Sequence, residues 1–246
     1  MQDSNKIWNL KAKQFPRFVK DAPDTLEILE FLRASGACFE GKSLIDIGCG
    51  NGRFALQLAP QVREIVGFDT SDVMLSALLE DAARLGLGNV KTLQGDWQDF
   101  IPPKTFDIAF ASMTPALNTK SGFVKALRVC EEGLCYVGWG RVRKSEFLQE
   151  ILALHNLTLA LPTGLPNVLE WLSELGTEVP KFCYKRSDFM YESPIGKVID
   201  DVIFHITIHE GEPNMNLIKE YVSARACEGI IRYPQEREIG IAYIPK

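Results

Sequence analysis

The stretch Leu44-Ile45-Asp46-Ile47-Gly48-Cys49-Gly50-Asn51-Gly52 joins a short, mostly apolar run to three alternating glycines. The run favours a buried parallel strand, and residues 52–59 suit a helix that Pro60 would end. Glycine tolerates sharp turns and lets the backbone approach a ligand closely. The stretch therefore predicts a strand, a tight glycine-rich turn and a helix in succession.

An acidic residue follows the next predicted strand. Ile65-Val66-Gly67-Phe68 leads into Asp69, which comes 17 residues after Gly52. A carboxylate at this point can accept hydrogen bonds from both hydroxyls of a ribose. The combination favours a nucleotide-type ligand over a glycine-rich turn that binds nothing.

The rest of this region alternates strands with helices. Further strands are predicted at 90–93, 106–112 and 134–139, and helices at 71–85 and 121–129. Five strands with intervening helices over about 100 residues predict an α/β fold. The expected architecture is a doubly wound, mostly parallel sheet with helices on both faces.

The flanking segments are less regular. Residues 1–23 are interpreted as an N-terminal arm, and residues 24–36 as a helix with Asp24 as N-cap. Residues 144–176 contain two amphipathic stretches and are interpreted as a helical insertion. With no repeat or low-complexity linker, residues 1–246 are predicted to form one domain. The arm and the insertion are candidates for a wall over the ligand, and the arm supplies three aromatic residues: Trp8, Phe15 and Phe18.

Composition limits the possible functions. The 246 residues are 46% hydrophobic and 24% charged, an ordinary globular mix. The 27 basic and 32 acidic residues give a net charge of −5, which disfavours a domain that holds nucleic acid by charge alone. No 18-residue apolar span or secretory signal is apparent. The six cysteines form no Cys-x-x-Cys pair, and we expect free thiols in a cytoplasmic protein.

Two classes of nucleotide cofactor use a loop of this kind. Enzymes that bind NAD or a flavin favour Gly-x-Gly-x-x-Gly, in which the third glycine lets the helix pack tightly. This chain has Gly-x-Gly-x-Gly and carries Arg53 where the dinucleotide pattern requires glycine. Arg53 thus disfavours a dinucleotide cofactor, and an NAD-dependent oxidoreductase is the alternative hypothesis.

Four landmarks in order resemble the class I S-adenosylmethionine-dependent methyltransferases over residues 43–139. Residues 46–52 resemble the first motif of that family, and Asp69 resembles its ribose-binding acid. Gly95-Asp96-Trp97 resembles its adenine-contacting motif, and residues 106–112 resemble its fourth strand. The resemblance implies S-adenosyl-L-methionine as cofactor. It also implies a Rossmann-like sheet of seven strands in the order 3-2-1-4-5-7-6, with strand seven antiparallel.

The resemblance also implies roles for individual residues. Asp46 would lie near the methionine amino group, and Asp96 would face the adenine amino group, from which a carboxylate can accept a hydrogen bond. The alternative for Trp97 is core packing alone. The implied cofactor-binding residues are Asp46, Gly48, Cys49, Gly50, Gly52, Asp69, Thr70, Met74, Asp96, Trp97, Ser112 and Met113.

The segment Ser112-Met113-Thr114-Pro115 would face the methyl acceptor. Enzymes that methylate planar base nitrogens resemble Asp/Asn/Ser-Pro-Pro-Tyr/Phe here, and this chain departs at the second and fourth positions. With the negative net charge, this favours a small-molecule acceptor over nucleic acid, with no membrane partner. His205 and His209 are interpreted as an ordinary pair rather than a metal site. A non-catalytic protein that binds S-adenosylmethionine remains a further hypothesis, and neither a catalytic base nor an oligomeric state follows from the sequence.

Overall fold

The computed structural model describes residues 2–12 and 15–246. Its seven strands are β1 (Ser43–Ile47), β2 (Glu64–Asp69), β3 (Val90–Gln94), β4 (Phe106–Ser112), β5 (Cys130–Lys144), β6 (Lys181–Pro194) and β7 (Ile230–Pro245). They form one sheet in the order β3-β2-β1-β4-β5-β7-β6. This confirms the predicted strand order, while the antiparallel direction of the seventh strand stays a prediction.

The first five strands are parallel. Strand β1 pairs with β2 on one side and with β4 on the other, so that Leu44 lies opposite both Ile65 and Ile108. Strand β2 continues to β3, and β4 continues to β5. The strand order therefore reverses between β1 and β4, where parallel sheets open a ligand-binding crevice at the carboxyl ends of their strands.

The helices largely follow the sequence prediction. They are α1 (Gln2–Ala12), α2 (Pro23–Ala34), α3 (Arg53–Leu58), α4 (Asp72–Arg84), α5 (Lys120–Val129), α6 (Glu146–Ala153), α7 (Leu165–Glu174), α8 (Ile195–Ile208), α9 (Met215–Ser223) and a 3-10 turn (Pro115–Leu117). Ser71 caps α4 through a hydrogen bond from the Met74 amide at 3.1 Å. Asp24 lies in the first turn of α2 instead of at its N-cap, because Pro23, whose fixed φ suits a first helical position, already begins the helix.

Helices cover both faces of the sheet. Leu44 packs in a cluster with residues of α2, α3 and α4, among them Leu32 and Leu78. Its neighbour Ile45 points to the other face and packs with residues of α5 and α7, among them Phe123. Successive residues of a strand point to opposite faces, so β1 is buried on both sides, as the apolar run in the sequence predicts.

While a single domain over residues 1–246 stays a prediction, the chain divides into two compact units. The first comprises Met1–Gly140, Thr163–Lys185 and Ile239–Lys246, and the second comprises Arg141–Pro162 and Arg186–Glu238. The predicted insertion over residues 144–176 divides between them. Val168 of α7 is buried in the first unit, whereas Phe147 of α6 packs with Val202 of α8 in the second. The two helices thus separate because their apolar faces belong to different clusters.

No helix in the described residues combines the length and the apolar character needed to cross a membrane.

Candidate active site

A cavity of about 490 Å³ lies in the first unit, where β1 to β4 end. That volume is typical of a small-molecule site. Its lining includes every predicted cofactor-binding residue except Gly52. The lining residues that the sequence analysis did not assign to the cofactor are Trp8, Phe15, Asn51, Arg53, Phe54, Phe68, Gln98, Thr114, Pro115, Ala116 and Thr119.

Gly48 brings the loop against the end of β4. Its φ is +68°, and a Cβ atom added there would lie 1.9 Å from Thr114 Oγ1. Its amide donates a hydrogen bond to the Phe68 carbonyl at 2.7 Å. Glycine is therefore required both by the left-handed backbone and by the space available.

Gly52 has a packing role. It is the N-cap of α3 with a φ of +91°, and an added Cβ atom would lie 2.8 Å from Leu78 Cγ. It does not line the cavity, because its missing side chain makes room for α4 instead of for a ligand. Gly52 therefore allows a close approach between helices, and its contact with the cofactor stays a prediction.

Asp69 ties the glycine loop to the end of β2. Its Oδ2 accepts a hydrogen bond from the Gly50 amide and its Oδ1 accepts one from the Ser71 amide, both at 2.9 Å. Burial raises the pKa of Asp69, and these hydrogen bonds partly offset that rise. A carboxylate has about four acceptor positions, so the residue can hold the loop and still accept from a ligand.

Asp46 is the most deeply buried carboxylate of the cavity, with 2% of its surface exposed. Burial, reinforced by the nearby charge of Asp69, raises the pKa of Asp46 to about 7, and a hydrogen bond from the Ala55 amide acts in the opposite direction. A cation placed beside Asp46 would favour its charged form.

Asp96 and Trp97 follow β3. Asp96 Oδ1 accepts a hydrogen bond from the Gln98 amide at 2.8 Å. Trp97 borders the cavity but is only 2% exposed. Its Nε1 donates to the Gly122 carbonyl at 3.0 Å, and its ring lies edge-on to Phe68 at 5.4 Å between centroids. Core packing therefore accounts for most of the Trp97 surface.

The segment after β4 has an unusual backbone. Met113 has a φ of +49°, which is uncommon for a residue with a side chain, and its amide donates to the Val137 carbonyl at 2.7 Å. Thr114 caps the following 3-10 turn by accepting from the Ala116 amide at 3.2 Å. The chain thus turns sharply across the mouth of the cavity directly after Ser112.

The N-terminal arm reaches the same cavity. Trp8 and Phe15 line it, whereas Phe18 packs against the apolar cluster on one face of the sheet. Asn9 binds the N-terminus of α4: its Nδ2 donates to Asp72 Oδ1 at 2.8 Å, and its Oδ1 accepts from the N-cap Ser71 Oγ. The arm thus borders the cavity, while residues 144–176 supply none of the described lining. That the two segments form a wall over the ligand stays a prediction.

Arm and glycine loop are also joined directly. Asn51 Nδ2 donates to the Pro16 carbonyl at 2.6 Å. Arg17 forms hydrogen bonds to both carboxylate oxygens of the buried Asp81, at 3.0 and 3.1 Å. The arm is therefore attached to the two elements, α4 and the glycine loop, that border the cavity.

The histidine pair lies elsewhere, in the second unit. His209 Nδ1 lies 2.7 Å from the His205 carbonyl oxygen at the end of α8. Within residues 2–12 and 15–246, no group of three or more His, Cys, Asp or Glu side chains is placed to hold a metal ion.

Cys49 is expected to be chemically inert in the folded protein. It is buried, and burial raises its pKa well above the usual value, so little reactive thiolate forms. Iodoacetamide at pH 8, followed by peptide mass spectrometry, should label the exposed Cys38 and Cys227 at least tenfold faster than Cys49. Denaturant should equalise the rates, and equal labelling of Cys49 and Cys38 in the native protein would contradict this account.

Comparison with known families agrees with this geometry. A family model described as a methyltransferase domain matches residues 39–159. The matched segment contains β1 to β5 and the lining residues that they carry, from Asp46 to Met113.

Curated relatives share part of the same region. Nocamycin O-methyltransferase of Saccharothrix syringae is 38% identical over 81 residues, which are 31% of this chain and 29% of that protein. Pavine N-methyltransferase of Thalictrum flavum subsp. glaucum is 28% identical over 103 residues, which are 39% of this chain and 29% of that protein. The chain therefore spans less than a third of the length of each.

A solved structure shares the fold over a longer span. The S-adenosylmethionine-dependent methyltransferase of Geobacter sulfurreducens, in complex with S-adenosyl-L-homocysteine, has a TM-score of 0.54 and 15% identity, with 100% of both chains covered. At this identity the likeness concerns the fold alone.

Proposed function

Because the chain belongs to the class I S-adenosylmethionine-dependent methyltransferase family, we propose that it transfers a methyl group from S-adenosylmethionine to a small-molecule acceptor. The observation that carries this proposal is the order of three carboxylates along the cavity. Asp96 comes two residues after β3, Asp69 ends β2 and Asp46 lies near the end of β1. These three strands are adjacent in that order in the sheet. Adenine amine, ribose hydroxyls and methionine ammonium follow one another in the same order along the cofactor.

The residues present fit this molecule chemically. Asp69 keeps acceptor capacity for the ribose hydroxyls beside its bonds to the Gly50 and Ser71 amides. Asp46 offers a buried negative charge to the ammonium group. Gly48 and Gly50 leave room for the methionine portion, while Thr70 and Met74 border the adenosine portion.

The protein contributes mainly by positioning. S-adenosylmethionine supplies, when bound, a methyl group on a positively charged sulfur that a nucleophile displaces in line. Ser112 and Met113 border the end of the cavity where that methyl group would lie. Holding two reactants in line can lower a barrier by roughly 7–11 kcal/mol in favourable cases.

Replacement of Asp69 tests the ribose assignment. Asp69→Ala removes an acceptor for the ribose hydroxyls and also frees the Gly50 and Ser71 amides. Hydrogen bonds to charged groups contribute roughly 1.5–3 kcal/mol each, so affinity for S-adenosylhomocysteine should fall at least tenfold by calorimetric titration.

The matched control is Asp107→Ala. Asp107 also accepts a backbone hydrogen bond, from the Ser43 amide at 2.6 Å, at the opposite end of the strands. This variant should lose stability while keeping its cofactor affinity within threefold. Unchanged affinity of Asp69→Ala for S-adenosylhomocysteine would contradict the assignment of Asp69 to the ribose hydroxyls.

A small-molecule acceptor is supported by the names of the relatives and by the net charge of the chain. One relative is named as an O-methyltransferase for nocamycin and another as an N-methyltransferase for pavine, and the chain carries a net charge of −5. Methyl-labelled S-adenosylmethionine should transfer label to the small-molecule fraction of a cell extract. Label found only in the protein or nucleic acid fraction would overturn this part of the proposal.

The cysteines support a reducing compartment such as the cytoplasm. All six are unpaired, and Cys49, Cys130 and Cys135 are buried. Free thiols persist where disulfides are kept reduced.

A further inference from the structure

We propose that the methyl acceptor is a weakly basic nitrogen that bears a hydrogen and is carried on an apolar, ring-sized body. This inference rests on the proposed function and concerns the acceptor end of the same cavity. It follows from the positions of the charged side chains of the lining, which lie on the side of β1 to β3 and not on the side of β4.

The acidic groups of the cavity lie on one side. Among the described lining residues, the side chains that can gain or lose a proton are Asp46, Cys49, Arg53, Asp69 and Asp96. The three carboxylates lie at the carboxyl ends of β1, β2 and β3, and Cys49 is a buried thiol in the glycine loop. The described lining that follows β4 is neutral: Ser112, Met113, Thr114, Pro115, Ala116 and Thr119.

The cation of the lining is already paired. Arg53 Nη2 donates to Asp24 Oδ2 and its Nε donates to Thr25 Oγ1, both at 2.8 Å. An acceptor that enters as a carboxylate would therefore bury its charge without a free partner, which is costly.

A neutral acceptor end also restricts the nucleophile. A hydroxyl, phenol or thiol acceptor must lose a proton as it reacts, and general bases serve this purpose in enzymes. The carboxylates that could act as bases lie on the cofactor side, where the proposed ligand engages them. A weakly basic nitrogen needs no base, because its lone pair is free at neutral pH.

One polar group on the β4 side has unused hydrogen-bonding capacity. The Ser112 hydroxyl makes no hydrogen bond to the part of the chain that the structure describes, and Ser112 lines the cavity. A hydroxyl oxygen can accept a hydrogen bond from an N–H group. Trp8, Phe15 and Met113 border the same cavity with aromatic and thioether surfaces, which suit an apolar ring.

The reaction balances with water alone as the final proton acceptor. The nitrogen lone pair forms the N–C bond as the C–S bond of the sulfonium breaks, and sulfur keeps the bonding electron pair. The methylated nitrogen then carries a positive charge and releases its proton to water.

Four small probes test the inference at saturating S-adenosylmethionine. Aniline is weakly basic and bears N–H groups; phenol and benzoate have the same ring with an acidic oxygen; benzylamine is strongly basic. S-adenosylhomocysteine formation should be at least tenfold faster with aniline than with phenol or benzoate. The rate with benzylamine should rise with pH as that amine loses its proton, whereas the rate with aniline should not follow such a titration.

Variants connect the selectivity to the residues named. Ser112→Ala should lower kcat/KM for aniline at least fivefold, and Trp8→Ala should raise its KM at least threefold. Trp8→Ala should leave affinity for S-adenosylhomocysteine within threefold, and the effect of Ser112→Ala is measured at saturating S-adenosylmethionine. Leu10→Ala is the control, because Leu10 lies on the same helix, is 65% exposed and does not line the cavity.

The outcomes separate this inference from the proposed function. Faster methylation of phenol or benzoate, or no methylation of aniline while S-adenosylhomocysteine still binds, would overturn the nitrogen acceptor alone. Failure to bind S-adenosylhomocysteine would overturn the proposed function itself.

Discussion

Gly48→Ala is expected to abolish measurable binding of S-adenosylhomocysteine and to destabilise the protein. The new Cβ atom would lie 1.9 Å from Thr114 Oγ1 and 2.5 Å from Thr114 Cβ, so the loop or the β4 end must move. Left-handed backbone at a residue with a side chain costs roughly 1–2 kcal/mol, and overpacking typically costs about 1–3 kcal/mol. Urea unfolding should show a loss of about 2–5 kcal/mol, and calorimetry should show at least a hundredfold loss of affinity.

Gly41→Ala separates the two causes. Gly41 has the same φ of +68°, but an added Cβ atom would meet nothing within 4 Å. This variant should lose only about 1–2 kcal/mol of stability and keep its affinity for S-adenosylhomocysteine. If Gly41→Ala and Gly48→Ala lose equal stability and both bind normally, the close approach of the loop to Thr114 has no role in binding.

Asp46→Asn is expected to stabilise the free protein and to weaken cofactor binding. A folded-state pKa of about 7 for Asp46 lies above the ordinary value for an aspartate, so the folded state resists its charged form. The stability that protonated Asp46 contributes is fully present below about pH 4, and it is lost as the pH rises through 7. The variant should therefore gain on the order of 2–4 kcal/mol over the wild type at pH 8 and show no gain near pH 4.

Cofactor binding should favour the charged form of Asp46, whereas the free folded protein favours the protonated form. The ammonium group of the cofactor pairs with the charged carboxylate, so wild-type affinity for S-adenosylhomocysteine should fall by up to about tenfold per pH unit below pH 7. Asp46→Asn should bind at least a hundredfold more weakly at pH 8, with little dependence on pH. The surface variant Asp99→Asn serves as control and should match the wild type. If the affinity of Asp46→Asn for S-adenosylhomocysteine still depended steeply on pH, a group other than Asp46 would be responsible.

Local patterns predicted the parts of the fold that depend on neighbours in sequence. The apolar run at 44–47, the glycines that follow it and the Ser71 cap were recognisable because strand burial, left-handed turns and helix capping each depend on a few consecutive residues. The strand order came from the family resemblance. The division of residues 144–176 between two units was not predictable, because either helix could have buried its apolar face in either cluster.

Within the site, the sequence identified residue types but not their long-range partners. The packing partner of Gly52 was not predictable, because its missing side chain accommodates Leu78, which is distant in sequence. Trp97 was expected to contact adenine, but Phe68 and the Gly122 carbonyl take up most of its surface and its N–H group. The contact of Thr114 with the glycine loop gave no signal, since it depends on the missing Cβ of Gly48, which is distant in sequence.

Calorimetric titration of the unmodified chain with S-adenosylhomocysteine and with NAD tests the central claim most directly. The account predicts binding of one S-adenosylhomocysteine per chain and no detectable binding of NAD, because Arg53 lies where dinucleotide-binding loops require glycine. Tighter binding of NAD than of S-adenosylhomocysteine would contradict it.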